Sequence, residues 1–260
     1  MIFYRNDLQH QLSYLKDNFN IYGLKASFED EGCMLDEMFS LRSLTHRCGL
    51  NFSIKVGGCE AKTDVINSAL LEADAIVAPM IESSFALQKW SETISFFLKK
   101  NILNDCRFFI NIESRCAYDN VKEILQSCHA SKLYGVTVGR SDLARSYGMT
   151  KKEVDNDEIF HKTKYILEQA KRKRLNTCIG GSISVDSCEF IENLYSLNLL
   201  DKIETRNVIV QLNDSNIKNI NDGIEGSILF EKIWLKSKEE YHSSFKDIHN
   251  SRIKMIESRK

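Results

Sequence analysis

Short apolar segments recur along this chain at a pitch of about thirty residues, with amphipathic helical patterns between them. The segments are YGLKASF (22–28), NFSIKV (51–56), AIVAPMI (75–81), RFFINI (107–112), YGVTVG (134–139), NTCIGG (176–181) and NVIVQL (207–212). They read as brief continuous runs, the pattern of parallel strands covered on both faces. The stretches between them gather apolar residues on one helical face. Examples are Met34, Leu35, Met38, Leu41 and Leu44, then Phe85, Trp90, Ile94, Phe97 and Leu98. Ser84 and Asp186 stand where N-caps are expected. Alternation of this kind over seven units predicts a parallel sheet with crossover helices.

No linker rich in Pro, Gly or Ser interrupts the 260 residues, so residues 1–260 read as a single domain. A closed (β/α)8 barrel takes about 250 residues. The rival, an open doubly wound sheet, needs a G-x-G-x-x-G turn after its first strand, and the sequence has none there. The expected fold is therefore α/β, a (β/α)8 TIM barrel with a long C-terminal helix. Two segments compete for the eighth strand, SILFE (227–231) and MIFYR (1–5). The single proline, Pro79, is tolerable only near the end of its strand, where the backbone leaves the ladder.

Acidic and basic residues nearly cancel, 36 against 35, which leaves no global field to attract nucleic acid or an anionic membrane. Basic and aromatic residues do not interleave along any segment, which also disfavours nucleic acid. No apolar run approaches the ~18 residues that span a bilayer. The N-terminus lacks the charged-then-apolar pattern of a signal peptide. The eight cysteines form no C-x-x-C pair and read as reduced thiols, which points to a cytoplasmic protein.

Polar groups collect where the apolar runs end. The first run is followed by Glu29, Asp30 and Glu31, and the second carries Lys55. The third closes on Glu82, the fourth on Glu113, the fifth on Gly139-Arg140-Ser141-Asp142 and the sixth on Gly180-Gly181-Ser182. In a barrel all of these meet at the C-terminal rim, where barrel enzymes place their chemistry. Charges crowded at strand ends must face water, pair, or hold a cation. Taken singly they could be rim ion pairs, Lys55 with Glu29 or Glu82 and Arg140 with Glu113. Taken together they suggest that Glu113 and Asp142 share a hard divalent cation such as Mg²⁺, with Glu82 behind them.

The ordered series FEDEG, IKVGGCEA, IVAPMIES, INIES and VGRSDLARSYG, covering roughly Gly23 to Gly148, resembles the HpcH/HpaI aldolase/citrate lyase family of TIM barrels. The resemblance implies Mg²⁺ or Mn²⁺ bound by Glu113 and Asp142. It implies a substrate carboxylate on the backbone N–H groups of the Gly139–Asp142 turn, and a basic residue at position 55 against an enolate oxygen. Two departures stand out. Lys55 replaces the family's arginine and loses its bidentate fork. No histidine lies at a predicted strand end, so Glu29, Glu31 or a bound water must serve as base.

The expected chemistry is metal-dependent carbon–carbon cleavage or condensation through a pyruvate-type enolate, with a 2-keto acid and an aldehyde as substrates. Lys55, Glu29, Glu82 and Arg140 are the candidate catalytic groups. Lys55, Gly139, Arg140, Ser141, Gly180 and Gly181 are the candidate substrate contacts. Three alternatives stay open: a Schiff-base aldolase using Lys55, an acyl-CoA thioester lyase of the citrate lyase β-subunit type, and an inactive metabolite-binding barrel. The segment 230–260 reads as a long helix with Ile233, Trp234, Phe245, Ile248 and Ile253 on one side, which suggests a homo-oligomer or a helix packed on its own barrel.

Overall fold

A computed structural model describes residues 3–259. Eight strands close into a barrel in sequence order. They are β1 (Ile21–Ser27), β2 (Asn51–Lys55), β3 (Ala75–Ala78), β4 (Arg107–Ile112), β5 (Gly135–Gly139), β6 (Asn176–Gly180), β7 (Lys202–Glu204) and β8 (Val208–Gln211). Helix α1 (Arg5–Phe19) precedes the first strand. Helices α2 (Leu35–Cys48), α3 (Lys62–Leu70), α4 (Ser84–Leu98) and α5 (Arg115–Gln126) each follow one strand. Both α6 (Arg140–Ser146) and α7 (Asp157–Arg172) follow β5, α8 (Cys188–Ser196) follows β6, and α9 (Ile220–Glu257) ends the chain. Ser83 rather than Ser84 caps α4, accepting the Ala86 N–H, and Ser187 rather than Asp186 holds the cap position of α8.

The barrel is the expected one, but its last unit is not. Strands β1 to β7 are parallel, whereas β8 runs antiparallel to both β7 and β1. The run NVIVQL forms β8, and the strand missing from the sequence reading is Lys202-Ile203-Glu204 just before it. Three residues, Thr205 to Asn207, join the two. That is enough for a hairpin and far too few for a crossover. Neither proposed eighth strand exists: SILFE lies inside α9, and in MIFYR Arg5 opens α1 after a turn at Phe3–Tyr4, while Met1 and Ile2 lie outside the described residues.

The strands also alternate more than their composition suggested. Ile110, Ile112, Val136, Val138, Phe52 and Ile54 face the helices as part of one large core. The residues that alternate with them, Ser53, Phe109 and Thr137 among these, face the barrel interior. Among the described residues only Ala75, Val77 and Phe109 form an apolar cluster there. The outward face thus supplies most of the hydrophobic stabilisation, and the inward face is free to carry polar groups.

Helix α9 packs on α1 through glycines: a methyl at Gly223 or Gly226 would press on Phe19 or Leu15. Farther on, Lys238 and His242 reach Glu37 in the first turn of α2, at 3.1 and 3.0 Å. The helix is about 57 Å long at 1.5 Å per residue, and its last turns, with Ile248, Ile253 and Ile256, are exposed. Among the described residues no helix is long and apolar enough to cross a membrane.

Candidate active site

A cavity of about 360 Å³ opens at the C-terminal ends of the parallel strands, with Lys25, Lys55, Asn111, Glu113, Asp142 and Glu204 in its wall. Glu113 directly follows β4 and is only 3% exposed. One of its carboxylate oxygens accepts the Met80 backbone N–H at 3.0 Å, and the other accepts the Asn111 side-chain amide at 3.0 Å. Met80 comes immediately after Pro79 and has φ +51°, a left-handed conformation rare for a long side chain. Such strain costs on the order of 1 kcal/mol or more. Here it accompanies an N–H donated to the buried carboxylate.

Burial raises the pKa of Glu113, while Lys55 and the two donors work the other way and Asp142 adds like charge. Gly139, the last residue of β5, is needed beside it, since a methyl there would collide with the Glu113 carboxylate. Asp142, in the first turn of α6, completes the pair on the cavity wall and has Arg145 at 3.7 Å. Asn111 is 4% exposed and its Oδ1 has no hydrogen-bond partner, an orphaned acceptor in the cavity wall next to Glu113. Two carboxylates and a free amide oxygen form an all-oxygen donor set that suits a hard divalent cation. Among the described residues no three His, Cys, Asp or Glu side chains form a metal-holding group, so protein ligands alone would leave most positions to substrate or water.

The other predicted site residues divide. Lys55 reaches the cavity, but its partner at 3.0 Å is Asp30, not Glu29 or Glu82. Glu29 is exposed beside Gly57 and does not line the cavity. The Glu82 carboxylate accepts the hydroxyl of Ser114, the N-cap of α5, and also lies outside the wall. Ser141 and Gly181 line the cavity, and Ser141 Oγ sits 2.8 Å from Ser182 Oγ.

Arg140, a candidate substrate contact or partner of Glu113 in the sequence, lies outside the cavity wall and has Asp155 as its partner instead. Its side chain is 0% exposed and ion-paired with Asp155. It donates from Nε to the Gly180 carbonyl (3.3 Å) and from Nη2 to the Gly181 carbonyl (3.1 Å) and Ser187 Oγ (3.3 Å), and it stacks over Phe190. A planar fork with five donors satisfies several acceptors at once, so the guanidinium ties the β6 turn to α6 from beneath. Gly180 contributes through absence of a side chain: a methyl there would strike Glu204.

The sequence reading missed the Lys25–Glu204 pair, 2.6 Å apart in the mouth. Burial works against the Lys25 charge, and Glu204 more than offsets it, so the pKa of Lys25 is raised. The inward parity that Lys25 shares with Ser27 was the available signal for it; Glu204 stood in a strand that had not been recognised. Deeper in the barrel, Lys202 lies with Nζ 3.4 Å from the Tyr22 ring centroid, and burial lowers its pKa to about 8. Among the described residues no histidine lines the cavity.

A closed barrel with paired carboxylates at its C-terminal rim defines the class: an α/β-barrel protein with its chemistry-bearing groups in the strand-end loops. Residues 54–185, just over half the chain, match the model of the HpcH/HpaI aldolase/citrate lyase family, and the chain belongs to that family. Membership makes it a protein of aldolase or lyase type. Solved structures share the fold at low identity. The citrate synthase SbnG superposes with a TM-score of 0.60 at 11% identity, covering 88% of this chain and 89% of that one. An HpcH/HpaI aldolase/citrate lyase family protein from Burkholderia cenocepacia J2315 gives 0.60 at 14%, covering 77% and 82%. Macrophomate synthase gives 0.54 at 15%, covering 70% and 69%. No curated protein matches the sequence.

Proposed function

We propose that this protein makes or breaks a carbon–carbon bond in a 2-keto acid through a pyruvate-type enolate, with Mg²⁺ or Mn²⁺ held by Glu113 and Asp142. The observation that carries the reading is the buried Glu113 carboxylate beside the orphaned Asn111 Oδ1, facing a cavity that Asp142 also lines. The chemistry supplied by such a cation, when bound, is Lewis-acid stabilisation of a developing enolate oxygen. Lys55 adds positive charge on the same wall, held in place by Asp30. A substrate carboxylate would be received by backbone N–H groups of the turn from Gly139 to Asp142, of which Gly139, Ser141 and Asp142 line the cavity. For proton transfer Glu31 is better placed than Glu29 or Glu82, because it lines the cavity and burial raises its pKa. The Schiff-base alternative gains no support, since Lys55 is ion-paired rather than enclosed in apolar wall.

The test is Mn²⁺ titration by calorimetry, together with NMR exchange of pyruvate methyl protons in D₂O. Wild type should bind Mn²⁺ and exchange the protons, whereas Glu113→Gln and Asp142→Asn should lose both. A wild-type protein that neither binds the ion nor catalyses exchange would remove the proposal.

A further inference from the structure

Two cations share a set of aromatic rings at the end of the barrel away from the mouth. Lys202 opens β7 and Arg107 opens β4, each at the N-terminal end of a parallel strand. Lys202 is 3% exposed. Its Nζ lies 3.4 Å from the centroid of the Tyr22 ring, with Phe109 at 5.6 Å and Tyr134 at 5.9 Å. The Arg107 guanidinium rests on the same two tyrosines, 5.9 Å from Tyr22 and 4.9 Å from Tyr134, and donates to the Tyr22 hydroxyl. Among the described residues neither cation has a carboxylate within 4.0 Å. The acids that face them are taken: Asp201 pairs with Lys171, Glu204 with Lys25, and Asp74 with Arg42.

Ring faces attract an ammonium, but they do not replace the water that burial removes. Desolvation dominates and the neighbouring guanidinium adds to it, so that about half of Lys202 is neutral near pH 8. An ordinary lysine is almost fully charged there. A second cavity, about 20 Å³, lies against this side chain among Tyr22, Val77, Phe109 and Thr137, with room for one or two water-sized groups. A free anion would have to shed its hydration to arrive there, whereas a small uncharged molecule would not.

We infer that Lys202 is a reversible carbon dioxide-binding site, forming a carbamate whose anion pairs with Arg107. The lone pair of the neutral amine forms an N–C bond to the carbon of CO₂, and one C–O π bond opens to place negative charge on oxygen. The ammonium proton and one amine proton pass to solvent or bicarbonate, so no further reactant is needed. Two neighbouring positive charges thereby become an ion pair in a low-dielectric setting. The Tyr22 hydroxyl, which accepts from Arg107, keeps its own proton to donate to the carbamate. Nothing in this step uses Glu113, Asp142 or Lys55, so it stands or falls apart from the proposed reaction.

The test equilibrates wild type, Lys202→Met and Arg107→Gln at pH 8 with carbon-13 bicarbonate and follows them by NMR. Trapping with triethyloxonium ion and peptide mass spectrometry then locates the product. Wild type should show a carbamate resonance that Lys202→Met lacks, and the trapped ethyl carbamate should lie on Lys202. Arg107→Gln, without the counter-charge, should carry about five-fold less of it. Bicarbonate at constant ionic strength should also raise the melting temperature of wild type and leave that of Lys202→Met unchanged. Folded wild type with no trapped label on Lys202 would overturn the inference, whatever the variants do. So would equal labelling of Lys202 in Arg107→Gln, because the carbamate would then have no partner in the barrel.

Discussion

Lys25 and Glu204, 179 residues apart in sequence, meet at 2.6 Å where the first and seventh strands reach the barrel mouth. Both side chains are nearly out of solvent, so neither charge tolerates loss of the other. Lys25→Met or Glu204→Gln alone should cost roughly 3–5 kcal/mol, the usual penalty for leaving half of a buried pair. The double replacement should cost clearly less than the sum. Urea melts of the four proteins, read as a double-mutant cycle, check this.

Arg140 gives a different expectation, because it touches no part of the cavity yet supports its wall. Asp155→Ala strands a fully buried guanidinium and should lower stability by about 3 kcal/mol or more. Arg140→Lys keeps the charge but cannot reach Asp155, two carbonyls and Ser187 together. It should reduce turnover through a disordered Gly181 turn while Mn²⁺ affinity stays near wild type. Steady-state kinetics beside calorimetry separates those effects.

Glu113→Gln should leave the fold intact. The Asn111 amide can rotate so that its orphaned Oδ1 accepts from the new glutamine amide, which leaves Nδ2 unpartnered in its place and the number of orphaned groups unchanged. A pH signature follows from the raised pKa of Glu113. A carboxyl whose folded pKa lies above its unfolded value of ~4.3 favours folding below that value, and the favour is lost as pH rises through the folded pKa. In EDTA, the stability of wild type relative to Glu113→Gln should therefore fall as pH rises from about 4 toward neutrality. Urea midpoints at four pH values would show it.

Lys202 should behave with opposite visibility. Its folded pKa of about 8 lies below its ordinary 10.5, so the unfolded chain binds more protons between those values. That group's share of stability must rise across that interval. Lys202→Met should melt higher than wild type at pH 7, and the gap should narrow by pH 10. A gap that stays constant would mean that the ring contacts, not desolvation, set the ammonium's energy.

Much of the barrel could be read from the chain because outward-facing strand residues are apolar and helix faces repeat at a helical period. What could not be read was β7, since Lys202-Ile203-Glu204 offers one apolar residue between two charges and resembles a surface turn. Both charges face inward, and only the closed ring shows that. The reversed direction of β8 escaped for the same reason: without β7, nothing revealed how short its connection is. At the rim, Lys55, Glu113, Gly139 and Asp142 were visible because each stands at the end of an apolar run and touches the cavity in the structure. Arg140 misled because linear position places a side chain at the rim without saying which way it points; the carbonyls of Gly180 and Gly181 draw it inward. Asn111 was overlooked inside an apolar run, although it has the same inward parity as Glu113.

The turned-back final strand also governs how the molecule is completed during synthesis. Strands β7 and β8 can pair as soon as both have emerged, but the edge of β1 away from β2 waits for Val208 to Val210, almost two hundred residues downstream. Until then the ring is an open arc whose first edge stays available to other chains. A chain truncated before Val208 would therefore keep β1 paired with β2 on one side and bare on the other, and that bare edge is where self-association of incomplete chains would begin.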